Sequence, residues 1–432
     1  MLSTQIPVVP VLDSGVRVRQ SLMTRPPVSC APPATDPQAP VNRVPLIIAV
    51  SVAVAGTVAL FLVYGPRSAT LLAIGTALGF ALFHSRFGFT SGWQQLIAVG
   101  NGQGLRAQLV LFATAATGVM TATAAHLTLF EPSVPSQATR IGVGLVLGSV
   151  LFGFGMQLGG SCASGTLYAV GAGQSSILLT LAGFMAGGLF YTWAFPALGL
   201  LPSAPGVLLP TRVGQPCAWL ITMAALAVVA LITVWVQRRR VPPPVAKVPT
   251  ASGVARLYRG AWPLTVGAVV LGSLATLVVL MTGHKWSVAN AYSLWAAKLS
   301  GYFGLHPESW QFWQQPDLAA SLNGPVLTDQ TSLTDFGIMI GAAAAAAAAG
   351  GWQLHGRVPL RIAVSAATGG ILMGFGARMS GGCNIGALLG GISLGDLSGW
   401  IWGACALLGT WVGIRARSVI GLHVPKPQNS VC

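Results

Sequence analysis

Charge is scarce in this chain. Of its 432 residues only 7% are Asp, Glu, Lys or Arg, and just eight of these are acidic, where a soluble globular domain carries about 25%. A surface facing water on every side cannot be built from that composition, so a soluble enzyme or carrier is excluded. Clustered metal ligands are also missing. The six cysteines (Cys30, Cys162, Cys217, Cys383, Cys405 and Cys432) form no CxxC pair and no short metal-ligand spacing, which argues against a zinc site and a thioredoxin-like motif. No metal or cofactor is expected. An ATP-binding motif is absent as well, so ATP-driven work by this chain is not expected. Residues 1 to 44 hold eight of the 28 prolines and no apolar run. They read as a disordered tail, and no small-residue cleavage site precedes the first apolar run near Pro45.

What fills the remainder is apolar: 53% hydrophobic residues and a mean hydropathy of +0.71. Apolar runs long enough to cross about 30 Å of hydrocarbon predict helices near 45–64, 68–83, 105–129, 141–158, 175–200 and 217–237, then 261–282, 335–352, 361–379 and 396–414. Two further segments, 87-FGFTSGWQQLIAVG-100 and 286-WSVANAYSLWAAKLSG-301, are short and interrupted, and suit half-helices or re-entrant segments. The expected fold is an all-α integral membrane protein of about ten transmembrane helices plus these two segments. Its parts are a first membrane half (45–237), a basic linker (238–260), a second half (261–414) and a tail (415–432). The net charge of +15 does not point to nucleic acid, because the cations lie between the apolar runs. Arg17, Arg19, Arg25 and Arg43, the 238-RRR-240 run with Lys247, Arg256 and Arg259, and Arg357, Arg361, Arg415 and Arg417 all belong inside by the positive-inside rule. Both termini are then cytoplasmic.

The chain breaks twice in the same way, at 158-LGGSCASGTLYAVGAGQ-174 and 379-MSGGCNIGALLGGISLG-395. Laying 153–172 on 374–393 gives seven identities: GFG, then Gly160, Cys162, Gly165 and Leu167. The run into Cys162 goes from outside to inside and the run into Cys383 from inside to outside. The two halves therefore read as an inverted repeat, a build in which substrate sites lie near the midplane.

Glycines Gly159, Gly160, Gly165, Gly381, Gly382 and Gly386 allow turns closed to other residues and expose backbone N–H groups. A helix restarting at Ala163 or Asn384 would point its amides at the break and favour an anion there; alternatively, small residues merely let helices pack closely. Cys162 and Cys383 each supply the sulfur at a break, a weak S–H donor suited to a soft, sulfur-containing anion. Cys217 and Cys405, inside ordinary helices, read as small buried hydrophobes. Arg378 and Lys285 could draw an anion inward or snorkel to an interface. His84 and Arg86 flank the first interrupted segment, and Trp93, Trp286 and Trp295 read as packing or belt aromatics.

In these blocks, 86-RFGFTSGW-93, 153-GFGMQLGGSCASGTLYAVGAG-173 and 374-GFGARMSGGCNIGALLGGISLG-395, the sequence resembles the YeeE/YedE, or sulphur transport, family of bacterial membrane proteins. The resemblance implies import of thiosulfate or a related sulfur or selenium species across the bacterial plasma membrane, with Cys162 and Cys383 receiving the substrate by S–H···S contacts. Where the family carries a further cysteine in the first block, this chain offers Gly88 and Ser91. Expected partners are the small inorganic anion, the lipid bilayer and a cytoplasmic sulfurtransferase. The expected pathway residues are Cys162, Cys383, Gly160, Gly165, Gly382, Gly386, Ser91, Lys285 and Arg378. A membrane thiol-disulfide oxidoreductase is the alternative, and it requires two thiols able to meet.

Overall fold

The computed structural model describes residues 39–130, 138–240, 242, 253–354 and 358–424. The expected tail as far as residue 38, the EPSVPSQ segment, linker positions 243–252, Arg357 and residues 425–432 lie outside the described residues, and with them Arg17, Arg19, Arg25, Cys30, Lys247 and Cys432.

Uninterrupted apolar sequence gives helix almost throughout, because only a helix satisfies its own backbone without water. In chain order these are α1 (Arg43–Tyr64), α2 (Pro66–Ser85), α3 (Phe89–Val99), α4 (Gln103–Ala124), α5 (Val143–Gly159), α6 (Ala163–Gly171), α7 (Ser175–Leu198), the short α8 (Leu209–Val213) and α9 (Gln215–Arg240). There follow α10 (Ala255–Arg259), α11 (Leu264–Thr282), α12 (Ala289–Gly301), α13 (Pro316–Asn323), α14 (Gln330–Ala348) and α15 (Leu360–Met379). A π-helical segment (Asn384–Leu389) then leads into α16 (Gly390–Leu394), and α17 (Leu397–Ile420) closes the series. Among the described residues, ten stretches are long and apolar enough to cross a membrane: α1, α2 with α3, α4, α5 with α6, α7, α9, α11, α14, α15 through α16, and α17. The only strands among the described residues are two-residue β1 (Ile141–Gly142) and β2 (Ser203–Ala204), paired antiparallel.

All ten expected spans are present, with local differences at their ends. Helix α4 stops at Ala124 rather than near 129. There His126 takes a left-handed φ of 52°, and the Leu129 N–H turns to the Leu280 carbonyl at 2.9 Å. Helix α14 starts five residues before the expected 335, because Asp329 caps it by accepting from both the Ser332 N–H and hydroxyl at 2.7 Å. Such a cap contributes about 1 kcal/mol. Cys217 is exposed on α9, and Cys405 is only partly buried. Neither fills a core position as expected, because α9 turns one side outward, leaving Leu231 and Trp235 exposed, and α17 likewise leaves Leu408 and Trp411 exposed, apolar surfaces that hydrocarbon solvates without penalty.

The packing comes in matched pairs. Helix α2 packs on α14 as α11 packs on α4, α15 on α7 as α5 on α17, α6 on α14 as α16 on α4, and α12 on α7 as α3 on α17. At the centre α5 and α15 touch backbone to backbone. A methyl group on Gly155 would stand 2.7 Å from the Gly369 carbonyl oxygen, and one on Gly148 would stand 2.7 Å from that of Gly376. Small residues are what allow such approach in a membrane, where apolar side chains gain nothing by leaving lipid for one another. The stretch between α12 and α14 folds back as short 3-10 turns and α13, burying Phe312 and Trp313 against Tyr191 and Leu294.

Candidate functional site

Both glycine-rich breaks are real interruptions between helices. After α5, Gly160 adopts a φ of 76°, and Cys162 becomes the N-cap of α6. Its sulfur accepts from the Gly165 N–H at 3.4 Å and stands 3.7 Å from the Ser164 hydroxyl. Its carbonyl accepts from both the backbone N–H and the hydroxyl of Thr166 at 2.8 Å. After α15, Gly381 and Gly382 take φ values of 78° and 150°, conformations that side-chain-bearing residues rarely adopt. Cys383 follows, its carbonyl accepting from the Ala387 N–H at 2.8 Å. A methyl group on Gly165 would stand 3.2 Å from the Cys162 sulfur, and one on Gly386 would stand 3.3 Å from the Ser287 hydroxyl. Glycine is therefore required at Gly160 and Gly382 for conformation, at Gly165 it leaves room for the Ser161 and Cys162 side chains, and at Gly386 a methyl group would sit in tight contact with Ser287.

Each thiol also faces the start of a second helix. The main chain of Phe89, first residue of α3, interacts with the Cys162 thiol, as do Gly165 and Ser164. The main chain of Ala289, first residue of α12, interacts with the Cys383 thiol, together with Gly386 and Ile385. The short segments at 87–100 and 286–301 thus do what their length suggested, bringing free backbone N–H groups to the breaks. Four helical N-termini meet on two sulfurs. Their dipoles make both sulfurs surroundings in which negative charge is favoured.

Cys162 and Cys383 are free and almost wholly buried, and they stand within electrostatic reach of each other. Tyr292 of α12 joins them. It is fully buried, donates its hydroxyl to the Ala163 carbonyl at 2.8 Å and is within reach of both thiols. Asn384 and Thr90, the neighbours of Cys383 and Phe89, keep buried side-chain polar atoms without hydrogen-bond partners among the described residues, as does Trp286 beside Lys285. Polar groups buried in this way are ones that a small polar ligand or a water could satisfy.

The remaining expected residues are placed unevenly. Lys285 lays its methylenes across Gly390, where a methyl group would come within 2.8 Å of its Cδ, and its ammonium is within reach of Asp396 and Cys383. Ser91 lies one turn into α3, its hydroxyl donating to the Gly88 carbonyl at 3.4 Å. That carbonyl also accepts from Gln108 at 3.1 Å, and Gln108 in turn accepts from the Trp93 indole at 2.7 Å. Arg378 is occupied: it donates to the Ser293 hydroxyl at 2.7 Å and to the side chain and carbonyl of Asn290 at 3.0 and 2.8 Å, above the Phe312 ring. It ties α15 to α12. His84 donates from Nδ1 to the Gly260 carbonyl at 3.1 Å and stacks on Trp262, holding the end of α2 to the chain before α11. Sequence reasoning missed Tyr292, Asn384 and Thr90, ordinary residue types whose place only the fold reveals.

A bundle of membrane-length helices with paired broken helices capped by buried thiols defines the class, a multi-pass membrane protein. The description "Sulphur transport" belongs to the family that matches residues 84–412; the chain belongs to that family. It is 27% identical to the thiosulfate transporter TsuA of Escherichia coli over 79% of this chain and 92% of that protein. Against TsuA of Spirochaeta thermophila it is 26% identical over 62% of this chain and 76% of that one. The probable transporter YedE of Salmonella typhimurium is 32% identical over 39% of this chain, a match spanning 41% of that protein's length.

Proposed function

We propose that the protein imports a sulfur-containing inorganic anion, thiosulfate or a related sulfur or selenium species, along a pathway between two inverted halves, with Cys162 and Cys383 as successive receiving groups. The observation that carries this reading is the meeting of two helical N-termini at each thiol. Amide dipoles offset the negative charge, while the S–H groups contact the substrate's soft sulfur without a fixed cation that would hold it in place. The exchanged packing pairs support inversion, since a two-fold relation between halves turns every contact into its partner contact. Gly160, Gly165, Gly382 and Gly386 shape the breaks, Ser91 stands where the family's additional thiol is expected, and Lys285 supplies positive potential beside Cys383. Arg378 acts through its hold on α12. In a bacterial plasma membrane the basic ends of α9 and α17 would face the cytoplasm, where a sulfurtransferase would consume the arriving sulfur.

Uptake by cells lacking their own sulfate and thiosulfate importers tests this. Wild type should accumulate labelled thiosulfate, and Cys162→Ala and Cys383→Ala should each lose at least tenfold, about 1.4 kcal/mol of transition-state stabilisation. Failure of thiosulfate, sulfite and selenium oxyanions alike to enter would refute the reading, and unimpaired uptake by both variants would remove the thiols from it.

A further inference from the structure

Asp335 is an acid inside a span. It sits on the second turn of α14, has no exposed surface, and neither carboxylate oxygen has a hydrogen-bond partner among the described residues. Ionisable groups at such positions are strongly unfavourable as bare charges, and they are retained in membrane proteins chiefly where they work.

Its surroundings lead in two directions. Asp329, Ser332 and Asp335 recur at every third residue of α14 and so line one side of its first turns. Asp329 is half-buried at the helix cap and holds Ser332, which also accepts from the Trp295 indole at 2.9 Å. These hydrogen bonds bring polar groups from the helix cap to within one turn of the buried acid. Inward, Asp335 shares a stripe with Met339 and Ala342, against which Gly171 of α6 packs. The stripe therefore faces the helix that Cys162 caps. From α12 comes Tyr292, within electrostatic reach of Asp335 and of both thiols.

Among the described residues, the titratable groups around α14 place no cation on the acid. Asp329 acts on it from its own helix and Tyr292 stands on α12. Lys298, also on α12, gives its ammonium to the Leu322 and Gly324 carbonyls at 2.6 Å. Helix α6 contributes Tyr168 and the Cys162 thiol. Helix α2 carries Arg67 and His84 at its two ends, α1 carries Arg43 and Tyr64 at its ends, and α10 carries Arg256 and Arg259. A single carboxylate without surrounding oxygen ligands suits a proton better than a metal cation, which needs several oxygens.

We infer that Asp335 is the proton-carrying group that couples anion import to the proton gradient. This rests on the transport reading above. A proton from the solvent at the Asp329 end adds to an Asp335 oxygen as the anion loads, giving the neutral acid. The same O–H bond breaks when the anion leaves, returning the carboxylate and releasing the proton to the opposite face. No other bond changes. Each proton moved offsets one negative charge of an anion entering a negative interior.

Purified protein in liposomes, with the membrane potential clamped, tests the coupling with labelled thiosulfate, which stays a dianion near neutral pH. At one proton per anion, a pH difference of one unit, acid outside, should raise steady-state accumulation by wild type about tenfold, with matching acidification of an internal dye. Asp335→Asn should still exchange labelled for unlabelled thiosulfate at the wild-type rate, but its accumulation should ignore the pH difference. Asp335→Glu should restore the response. Tracer exchange by the Asn variant shows that it is folded and binding. Accumulation by wild type that is indifferent to pH, or driven by a sodium gradient instead, overturns the assignment and leaves transport standing. A coupled response surviving in Asp335→Asn also overturns it. No tracer movement by wild type refutes transport of this anion and the coupling with it.

Discussion

The phenol of Tyr292 hydrogen bonds to the carbonyl of Ala163 at 2.8 Å, linking the second half of the molecule to the first residue of the helix that Cys162 caps. One side chain of α12 thereby helps fix where the other half presents its thiol. Removing the hydroxyl leaves a buried carbonyl short of a partner, costing about 1–3 kcal/mol. In Tyr292→Phe, thiosulfate uptake should fall about tenfold with only a modest loss of thermal stability in detergent. Wild-type uptake would show that the link plays no part in presenting the thiol.

Arg378 separates two accounts of a buried-end cation. Held by Ser293 and Asn290, it should matter through geometry. Arg378→Lys keeps the charge but cannot reproduce the fork of donors. It should lower the detergent melting temperature, corresponding to roughly 1–3 kcal/mol for hydrogen bonds to a charged group, with KM near wild type. An unchanged melting temperature with a raised KM would instead make the guanidinium a guide for the anion.

The glycines at matched helix crossings should respond alike. A methyl group on Gly153 would collide with the Ala406 carbonyl, and one on Gly374 with that of Phe184. Gly153→Ala and Gly374→Ala should each destabilise by about 1–3 kcal/mol, the usual cost of overpacking, and by similar amounts in thermal unfolding. A large difference between them would show that the two crossings are not equivalent.

Gly88 offers the reverse experiment. A Cβ there would crowd only the Ser91 side chain, 2.8 Å from its hydroxyl oxygen, and that side chain can turn away. Gly88→Cys should therefore fold normally. If the family's additional thiol belongs here, thiosulfate KM should fall about threefold, a gain of roughly 0.7 kcal/mol. A labelled maleimide tests whether the new thiol lies on the route, since added thiosulfate should protect it.

Much of this was legible in the sequence, and for identifiable reasons. Hydrocarbon imposes a length on every span, so runs such as 45–64 and 361–379 declare themselves. The breaks at Cys162 and Cys383 stand out because paired glycines interrupt those runs, and the restart of helix at Ala163 follows from them. The likeness of α2 to α11 was far fainter. A shift of 200 residues lays Leu71, Thr76 and His84 on Leu271, Thr276 and His284, too few matches in α2 and α11 to notice without seeing that both pack against corresponding helices. Tyr292 and Asp335 were missed for another reason. Tyr292 looks like any interfacial aromatic until its hydroxyl is followed across the molecule, and Asp335 stands where the apolar run begins, so it resembled a boundary. The early cap at Asp329 moves that boundary outward and leaves Asp335 within the span.

The backbone contact of Gly148 and Gly155 with Gly376 and Gly369 leaves α5 and α15 no side-chain layer to slide on. They form a keel. Changes of access must then be borne by the parts hinged to it, the half-helices α3, α6, α12 and α16, whose small size suits quick, short strokes. Such a machine would open by tilting its shutters around a fixed spine, carrying each sulfur with the half-helix it caps.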